Sequence, residues 1–174
     1  MNDIIKAMKE RRSIRKFLAD MPGDDILSQI AEAGIYAASG RNFQGVKVII
    51  VTDKKRRDEI AELNRSIGGW DEGFDPFYGA PAMIIVIADK TRPTYLYDGS
   101  LVMGNLMLAA HSLGLGSCWI HRAKEEFEGE YGKALLSSLG IDGDWEGIGH
   151  CAIGYPAGAA PAAPARKSDR IYKV

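Results

Sequence analysis

The chain has 174 residues, of which 46% are hydrophobic, and this is enough apolar material for one domain with a buried core. Its 22 lysines and arginines are matched by 23 acidic residues, and the net charge of −1 argues against a nucleic-acid-binding protein. The longest apolar run is too short to cross a membrane, and the polar first segment lacks the pattern of a secretory signal. We therefore predict one domain over residues 1–174, with no membrane partner.

The chain contains two cysteines, Cys118 and Cys151, which lie in apolar stretches and form no CxxC motif. Such residues are typical of reduced thiols in the core of a cytoplasmic protein. We expect a cytoplasmic location and two free thiols rather than a disulfide between them.

The first part of the chain predicts two helices followed by a polar loop. Asn2 or Asp3 can cap a helix that ends near a cluster of arginines, and Asp24 or Asp25 can cap the second helix. The glycine-punctuated stretch 38–45 is polar, which predicts a loop.

Four segments rich in β-branched and apolar residues predict buried strands, at 46–51, 82–88, 117–121 and 147–154. Three helices are predicted between them. Asp53 caps a charged surface helix, residues 97–113 are apolar on nearly all sides as in a core helix, and residues 124–139 are amphipathic. Strands that alternate with helices indicate an α/β or α+β sandwich. The chain after 157 is rich in alanine and proline, which predicts an extended tail over 157–174.

An irregular segment over residues 68–79 carries four aromatic side chains among four glycines. Aromatic residues on such a segment are typical of two structures, a loop tucked against the core or a lid over a flat ligand. The sequence leaves both interpretations open.

The most distinctive stretch is 11–17, which places three arginines, a lysine and a serine within six positions. Guanidinium groups bind phosphate oxygens through planar, charge-assisted pairs of hydrogen bonds, and a serine hydroxyl adds a rotatable donor. In an extended chain, Arg11, Ser13 and Arg15 would share one face, with the two intervening residues on the other. The stretch therefore predicts either an anion site or a solvated charged turn.

Other catalytic patterns are excluded by their context. The G-x-G-x-x-A stretch at 147–152 continues as a strand, whereas a dinucleotide site needs a helix after the glycines. The three histidines have no metal-ligand spacing; we expect His111 to be a buried, hydrogen-bonded imidazole and His121 to be structural. Asp98 is interpreted as a cap or buried hydrogen-bond partner. With no acid, base, nucleophile or metal in evidence, the pattern favours a bound cofactor that supplies the chemistry.

Taken together, several short segments resemble the FMN-dependent nitroreductase family, in a compact form. They are residues 11–17, 38–44, 79–81, 114–120 and 153–156, with Asn105 in the central helix and the basic tail. The resemblance implies an α+β fold: a three-layer α/β/α sandwich with a mixed, mainly antiparallel sheet around a buried central helix. It also implies a homodimer with FMN at the subunit interface.

The resemblance implies a role for most of the polar positions. Residues of the first stretch would hold the FMN phosphate, ribityl chain and pyrimidine edge, and the tail would close on the phosphate. The positions are Arg11, Arg12, Ser13 and Arg15 in the stretch and Arg166 and Lys167 in the tail. Among these, Arg15 would tune the ring by placing a cation near its N1–C2 edge.

Further cofactor contacts are implied for three other regions. The partner subunit would contribute Ser39, Asn42 and Gln44 from its polar loop. The backbone of Cys118, Trp119 and Ile120 would run near the isoalloxazine ring, and Asn64 would place a polar side chain against it.

The implied activity is that of an FMN-dependent oxidoreductase that takes hydride from NADH or NADPH and reduces nitroaromatic or quinone-like acceptors by a ping-pong mechanism. Two further interpretations stay open: a specialised flavin enzyme such as a dehydrogenase, dehalogenase or flavin-fragmenting enzyme, and a non-enzymatic FMN-binding module. One departure limits the inference of substrate. Gly45 and Val46 stand where many relatives have a proline and an aromatic residue.

Overall fold

The computed structural model describes residues 2–174 and is built around one four-stranded sheet with the order β1-β2-β4-β3. Each neighbouring pair of these strands is antiparallel, and one isolated parallel bridge joins Ser13 to Ser117. The strands are β1 (Val46–Val51), β2 (Ala82–Asp89), β3 (Gly116–Ile120) and β4 (Trp145–Gly154). The predicted strands and the predicted mainly antiparallel sheet are confirmed.

Helices cover both faces of the sheet, so the fold has the three predicted layers. The helices are α1 (Asp3–Glu10), α2 (Asp24–Ile35), α3 (Lys54–Gly68), α4 (Tyr95–Ser112), α5 (Ala123–Glu128) and α6 (Glu130–Ser138), with one 3₁₀ turn at Gly40–Asn42. We call the side with α1, α2 and α4 the open side and the side with α3, α5 and α6 the closed side. Within residues 2–174, no helix is long and apolar enough to cross a membrane.

The sheet is buried on both faces because the central strands are apolar without alternation. Residues 82–88 of β2 are completely buried. Neighbouring residues of a strand point to opposite faces, so Ile84 packs in the open-side core while Ile85 packs in the closed-side core. The two cysteines divide in the same way. Cys118 faces the closed side, Cys151 faces the open side, and both are free thiols, as predicted.

Two of the three predicted helix N-caps are confirmed. The Asn2 side chain accepts a hydrogen bond from the Ile4 amide at 2.9 Å, and Asp53 accepts one from the Arg56 amide at 2.8 Å. The prediction that Asp24 or Asp25 caps α2 is wrong, because Gly23 is the capping residue and makes no side-chain bond. Both aspartates lie in the first turn instead, where their charges favour the positive end of the helix dipole.

The single helix predicted over 124–139 is two helices, α5 and α6. The chain is extended at Gly129 (φ −81°, ψ 174°), which ends α5 and starts α6 in a new direction. A Cβ atom on Gly132 would collide with the backbone of Phe127, so this glycine allows α6 to fold back closely on α5. The break at Gly129 was not predicted because the helical spacing of apolar residues continues through it.

The long helix α4 is buried on one face only. Val102, Met103 and Leu106 are at most 3% exposed, whereas Tyr97 is 72% exposed and Leu101 is 51% exposed. The apolar residues on all sides of α4 therefore form two different surfaces of this helix. One packs on the sheet within this chain, and the other is uncovered in a single copy.

The aromatic segment 68–79 is fixed at its end near the sheet and exposed at its start. The Asp75 carboxylate accepts hydrogen bonds from the Phe77 amide at 2.9 Å and from the Gly79 amide at 2.8 Å, and it pairs with the Arg57 guanidinium. Phe77 is completely buried, while Trp70 and Phe74 are about 40% exposed. The segment thus combines the tucked loop with an exposed aromatic rim.

Candidate functional site

The arginine-rich stretch lies against the ends of two strands rather than in solvent. The Ile14 amide donates to the Ser117 carbonyl at 2.9 Å, and the Leu18 amide donates to the Tyr155 carbonyl at 2.9 Å. Close approach is possible because Gly116 has no side chain; a Cβ atom there would lie 2.9 Å from Ile14 Cγ1. The interpretation as a free charged turn is therefore wrong.

A pocket of about 230 Å³ opens between this stretch, the end of α4, the start of β3 and the chain after β4. Its lining residues are Arg11, Arg12, Ile14, His111, Gly114, Leu115, Gly116, Ser117, Pro156 and Ala160. We call this space the arginine pocket. It joins three parts of the chain that are distant in sequence.

Three buried polar atoms of the arginine pocket have no hydrogen-bond partner within residues 2–174. They are Arg11 Nη1, Arg12 Nε and Ser117 Oγ. A buried donor without an acceptor costs free energy, and guanidinium donors prefer phosphate or carboxylate oxygens. The pocket therefore has the chemistry of an oxyanion site, and its donors fit the phosphate of a cofactor.

The side chains of residues 11–15 do not alternate between two faces as predicted. Arg11 and Arg12 line the same pocket, whereas Arg15 is exposed and its guanidinium carbon lies 6.0 Å from the Tyr78 ring centroid. Arg11 is still the C-cap of α1, so regular alternation of side chains begins only after it. The expectation that Arg11, Ser13 and Arg15 share one face is corrected.

Ser13 and Arg15 instead influence the closed face of β3. Burial raises the pKa of the Cys118 thiol, and the charge of Arg15, the Ser13 side chain and the charge of Arg11 oppose that rise. Ser13 and Arg15 thus lie near Cys118, while Arg11 and Arg12 line the pocket together with Ser117, and the charge of Arg11 also reaches Cys118.

The polar loop is held in shape by its own side chains. Ser39 Oγ accepts a hydrogen bond from the Gln44 amide at 3.1 Å, and Gln44 Nε2 donates to Asn42 Oδ1 at 3.0 Å. Buried Asp98 accepts from the Gly40 amide at 3.0 Å and so ties the loop to the start of α4. This confirms Asp98 as a buried hydrogen-bond partner. None of the loop's residues lines the arginine pocket of its own chain.

Asn64 has a different role from the predicted one. Its side chain is completely buried, and its Nδ2 atom donates to the His121 carbonyl at 2.7 Å and to Glu126 Oε1 at 2.6 Å. A side chain without exposed surface offers no face to a ligand. The expectation that Asn64 contacts a ring is therefore replaced by a role in joining α3 to α5.

The remaining predicted positions lie on β3 and in the tail. Cys118 and Ile120 are buried, Trp119 is half-buried, and β3 is an edge strand, so a backbone edge remains available beyond Ser117. Arg166 and Lys167 are exposed and lie together with Asp169 and Arg170 rather than in the arginine pocket. Of the tail, Ala160 reaches that pocket.

Residues 8–155 match the sequence profile of the Nitroreductase family. The chain belongs to this family. Among solved structures, it is similar to a nitroreductase with bound FMN from Bacteroides fragilis, with 28% identity, a TM-score of 0.91 and all of both chains covered. A nitroreductase with bound FMN from Desulfitobacterium hafniense is 30% identical, with a TM-score of 0.89 over 100% of this chain and 99% of that one.

A curated relative, the NADPH-flavin oxidoreductase of Vibrio harveyi, is 35% identical over 129 residues. The match covers 69% of this chain but only 54% of the relative. This nitroreductase-family chain thus spans about half the length of that relative.

Two lining residues of the arginine pocket were not predicted from sequence. Ser117 was not among the candidate site residues, and His111 was expected to be buried and hydrogen-bonded. His111 is instead half-buried, lines the pocket, and has no side-chain hydrogen bond within residues 2–174. The available signal was the Gly114 turn, which places these two residues on neighbouring elements.

Proposed function

We propose that this protein is an FMN-dependent oxidoreductase of one domain that takes hydride from NADH or NADPH. The unpaired, buried donors of Arg11 and Arg12 carry the proposal, because they form a site for an oxyanion. The similar structures with bound FMN support FMN as the molecule that brings this oxyanion. Its phosphate bears roughly two negative charges, which two arginines can balance.

Each part of the proposed site has a separate task. Arg11 and Arg12 hold the phosphate, and Arg166 or Lys167 of the tail closes over it. Ser13 and Arg15 lie further along, and the Arg15 cation stabilises negative charge on the pyrimidine edge of the ring. The edge of β3 from Cys118 to Ile120 supports the ring. FMN, when bound, would supply the hydride chemistry, so this chain needs no dedicated proton donor of its own.

The proposed acceptors are nitroaromatic or quinone-like molecules, reduced by a ping-pong mechanism in which donor and acceptor use the same site in turn. The exposed aromatic rim supports flat acceptors of this kind. Trp70 and Phe74 have ring centroids 5.4 Å apart, and Phe74 lies 6.1 Å from Tyr78, which contacts Arg15. The two free, buried thiols support a cytoplasmic location.

We propose a homodimer in which the partner supplies Ser39, Asn42 and Gln44. Two observations support it. The polar loop does not line the arginine pocket of its own chain. The exposed face of α4 at Leu101 also lies one turn from Asp98, the residue that anchors the loop.

An absorbance spectrum of the purified protein before and after anaerobic addition of NADH or NADPH tests the activity. We expect a yellow protein whose flavin absorbance is bleached, followed by recovery on adding a nitroaromatic acceptor. A colourless protein that cannot be reconstituted with FMN would contradict the proposal. FMN binding without bleaching would instead indicate a binding module.

Substitution of Arg11 tests the pocket. Arg11→Ala should weaken FMN binding by about 1.5–3 kcal/mol, because a hydrogen bond between charged groups is lost. Lys16→Ala, an exposed cation in the same stretch, is the matched control and should change the affinity little. Equal losses in both variants would show that the effect is one of overall charge.

Mixing two variants tests the shared site. Arg11→Ala and Asn42→Ala homodimers should each bind FMN weakly. A heterodimer of the two has one site with both substitutions and one intact site. Random re-equilibration of an equal mixture makes about half of the dimers heterodimers, so mixing should restore binding to about a quarter of all sites. If Asn42 acted within its own chain, each site would keep one substitution and mixing would restore nothing.

A further inference from the structure

The inner wall of the arginine pocket contains two donor groups that the proposed function does not use. Ser117 is 2% exposed, and its Oγ atom has no partner within residues 2–174. His111 is half-buried and lines the same space. A serine hydroxyl and an imidazole N–H both donate hydrogen bonds to phosphate oxygens.

The connection from α4 to β3 brings these side chains together. His111 lies in the last turn of α4, and the chain reverses at Gly114, where φ is +78°. The strand that follows carries Ser117 back to the same pocket. Glycine suits this reversal because other residues rarely adopt a left-handed backbone.

The backbone amides of this turn are already used. The Gly114 amide donates to the His111 carbonyl at 3.1 Å, and the Leu115 amide donates to the Ala110 carbonyl at 2.8 Å. These bonds satisfy the last carbonyls of α4, so the backbone leaves this wall few donors for an anion. Side chains must supply them, and His111 and Ser117 are the polar side chains present on this wall.

The charges around the pocket favour an anion with more than one oxygen. Its charged lining residues are Arg11 and Arg12, and no carboxylate lines it within residues 2–174. The arginines come from residues 11–12, and His111 and Ser117 come from the connection between α4 and β3. A tetrahedral phosphate has oxygens for both.

We propose that His111 and Ser117 bind the phosphate together with the two arginines, and that this wall makes the site select FMN over riboflavin. The inference rests on the proposed function, because it takes the FMN phosphate as the oxyanion. It adds two binding residues and a selectivity, and it concerns the phosphate end of the ligand alone.

The test compares the affinities for FMN and riboflavin, measured by quenching of flavin fluorescence in the full-length protein. The wild type should bind FMN more tightly. His111→Leu and Ser117→Ala should each reduce FMN affinity by about tenfold, the loss expected for one hydrogen bond to a charged group, and leave riboflavin affinity unchanged. His111→Gln keeps an N–H donor and should recover part of the loss. Ser112→Ala, in the exposed part of the same turn, should behave as the wild type.

Equal losses for both flavins in His111→Leu would show a structural role and overturn the inference, as would an unchanged ratio of the two affinities. The ³¹P chemical shift of bound FMN gives a second reading, because it should change in Ser117→Ala and stay constant in Ser112→Ala. Failure of the wild type to bind FMN at all would instead contradict the proposed function. The two failures are therefore distinguishable.

Discussion

The two sides of the sheet differ in how completely one chain covers them. On the closed side, α3, α5 and α6 seal a core in which even ionisable side chains are buried. His150 Nε2 lies 2.8 Å from Glu126 Oε2, with exposures of 0% and 2%. On the open side, the inner faces of α2 and α4 are packed but the outer surface is apolar. Its exposed residues are Ile4, Ile5, Met8, Ile35, Tyr36, Leu96, Tyr97 and Leu101.

Because of this difference, we expect the closed side to determine the stability of the chain and the open side to determine its association. The closed side buries its apolar residues within one chain, whereas the open side exposes an apolar surface typical of an interaction site. We expect substitutions on the closed side to unfold the chain. Substitutions on the outer surface of the open side should change its association and leave the fold intact.

The largest effect is expected at the buried pair. Glu126→Leu or His150→Leu alone should lower the free energy of unfolding by about 3–5 kcal/mol, because the remaining group stays buried without its partner. The double variant should lose less than either single variant, since neither member of the pair is then left buried without the other. Urea denaturation measures all three values. Losses that simply add in the double variant would contradict the coupling.

A smaller effect is expected from adding one methyl group on each side. A Cβ atom on Gly147 would overlap the backbone carbonyl of Ala123, whereas one on Gly34 would meet the side chain of Leu106. Gly147→Ala should cost about 1–3 kcal/mol or more, because backbone cannot move aside. Gly34→Ala should cost less, since a leucine side chain can rotate and alanine favours a helix by about 1 kcal/mol over glycine. Thermal unfolding of both variants gives the comparison.

The third prediction uses two leucines with the same exposure. Leu101 on α4 is 51% exposed on the open side, and Leu139 after α6 is 49% exposed on the closed side. Each replacement by aspartate should change stability by less than about 0.5 kcal/mol, as for ordinary surface positions. Light scattering should nevertheless show monomers for Leu101→Asp and dimers for Leu139→Asp. Dimers in both variants would exclude this face of α4 as the contact surface.

The last prediction concerns the thiols, whose effect is confined to high pH, and it tests whether the cysteines on both faces of the sheet are shielded from solvent. Burial raises the pKa of Cys118 and of Cys151. Above pH 9, the unfolded chain releases the Cys151 proton and the native chain keeps it, so stability should fall as the pH rises. Between pH 7 and 9.5, the wild type should lose about 0.8 kcal/mol more than Cys151→Ala. Rapid alkylation of either native thiol would contradict this burial.

The sheet could be predicted because its strands are continuous apolar segments. Residues 82–88, for example, are apolar at every position, and this alone indicates a strand buried on both faces. The break at Gly129 could not, because it depends on how closely Gly132 approaches Phe127, a contact between neighbouring helices. Local periodicity contains no information about such contacts.

The site was predicted where its chemistry lies in one short stretch and missed where it depends on folding. Arg11 and Arg12 were assigned because residues 11–17, together with the other short segments, resemble the nitroreductase family. Asn64 was misassigned because an asparagine that reaches a ligand and one buried against Glu126 look identical in sequence. His111 and Ser117 were missed because only the turn at Gly114 brings them to the arginines.

The order of the strands in the sheet also bears on synthesis. β2 pairs with β4, yet α4, β3, α5 and α6 all lie between them in the chain. The arginine pocket needs residues from the first stretch, from β3 and from Pro156 beyond β4. During translation, neither the central strand pair nor the pocket can form until that last part has left the ribosome. The cofactor therefore meets a finished chain. The edge of β2 that pairs with β4 must stay unpaired until then, a period in which chaperones would protect it from aggregation.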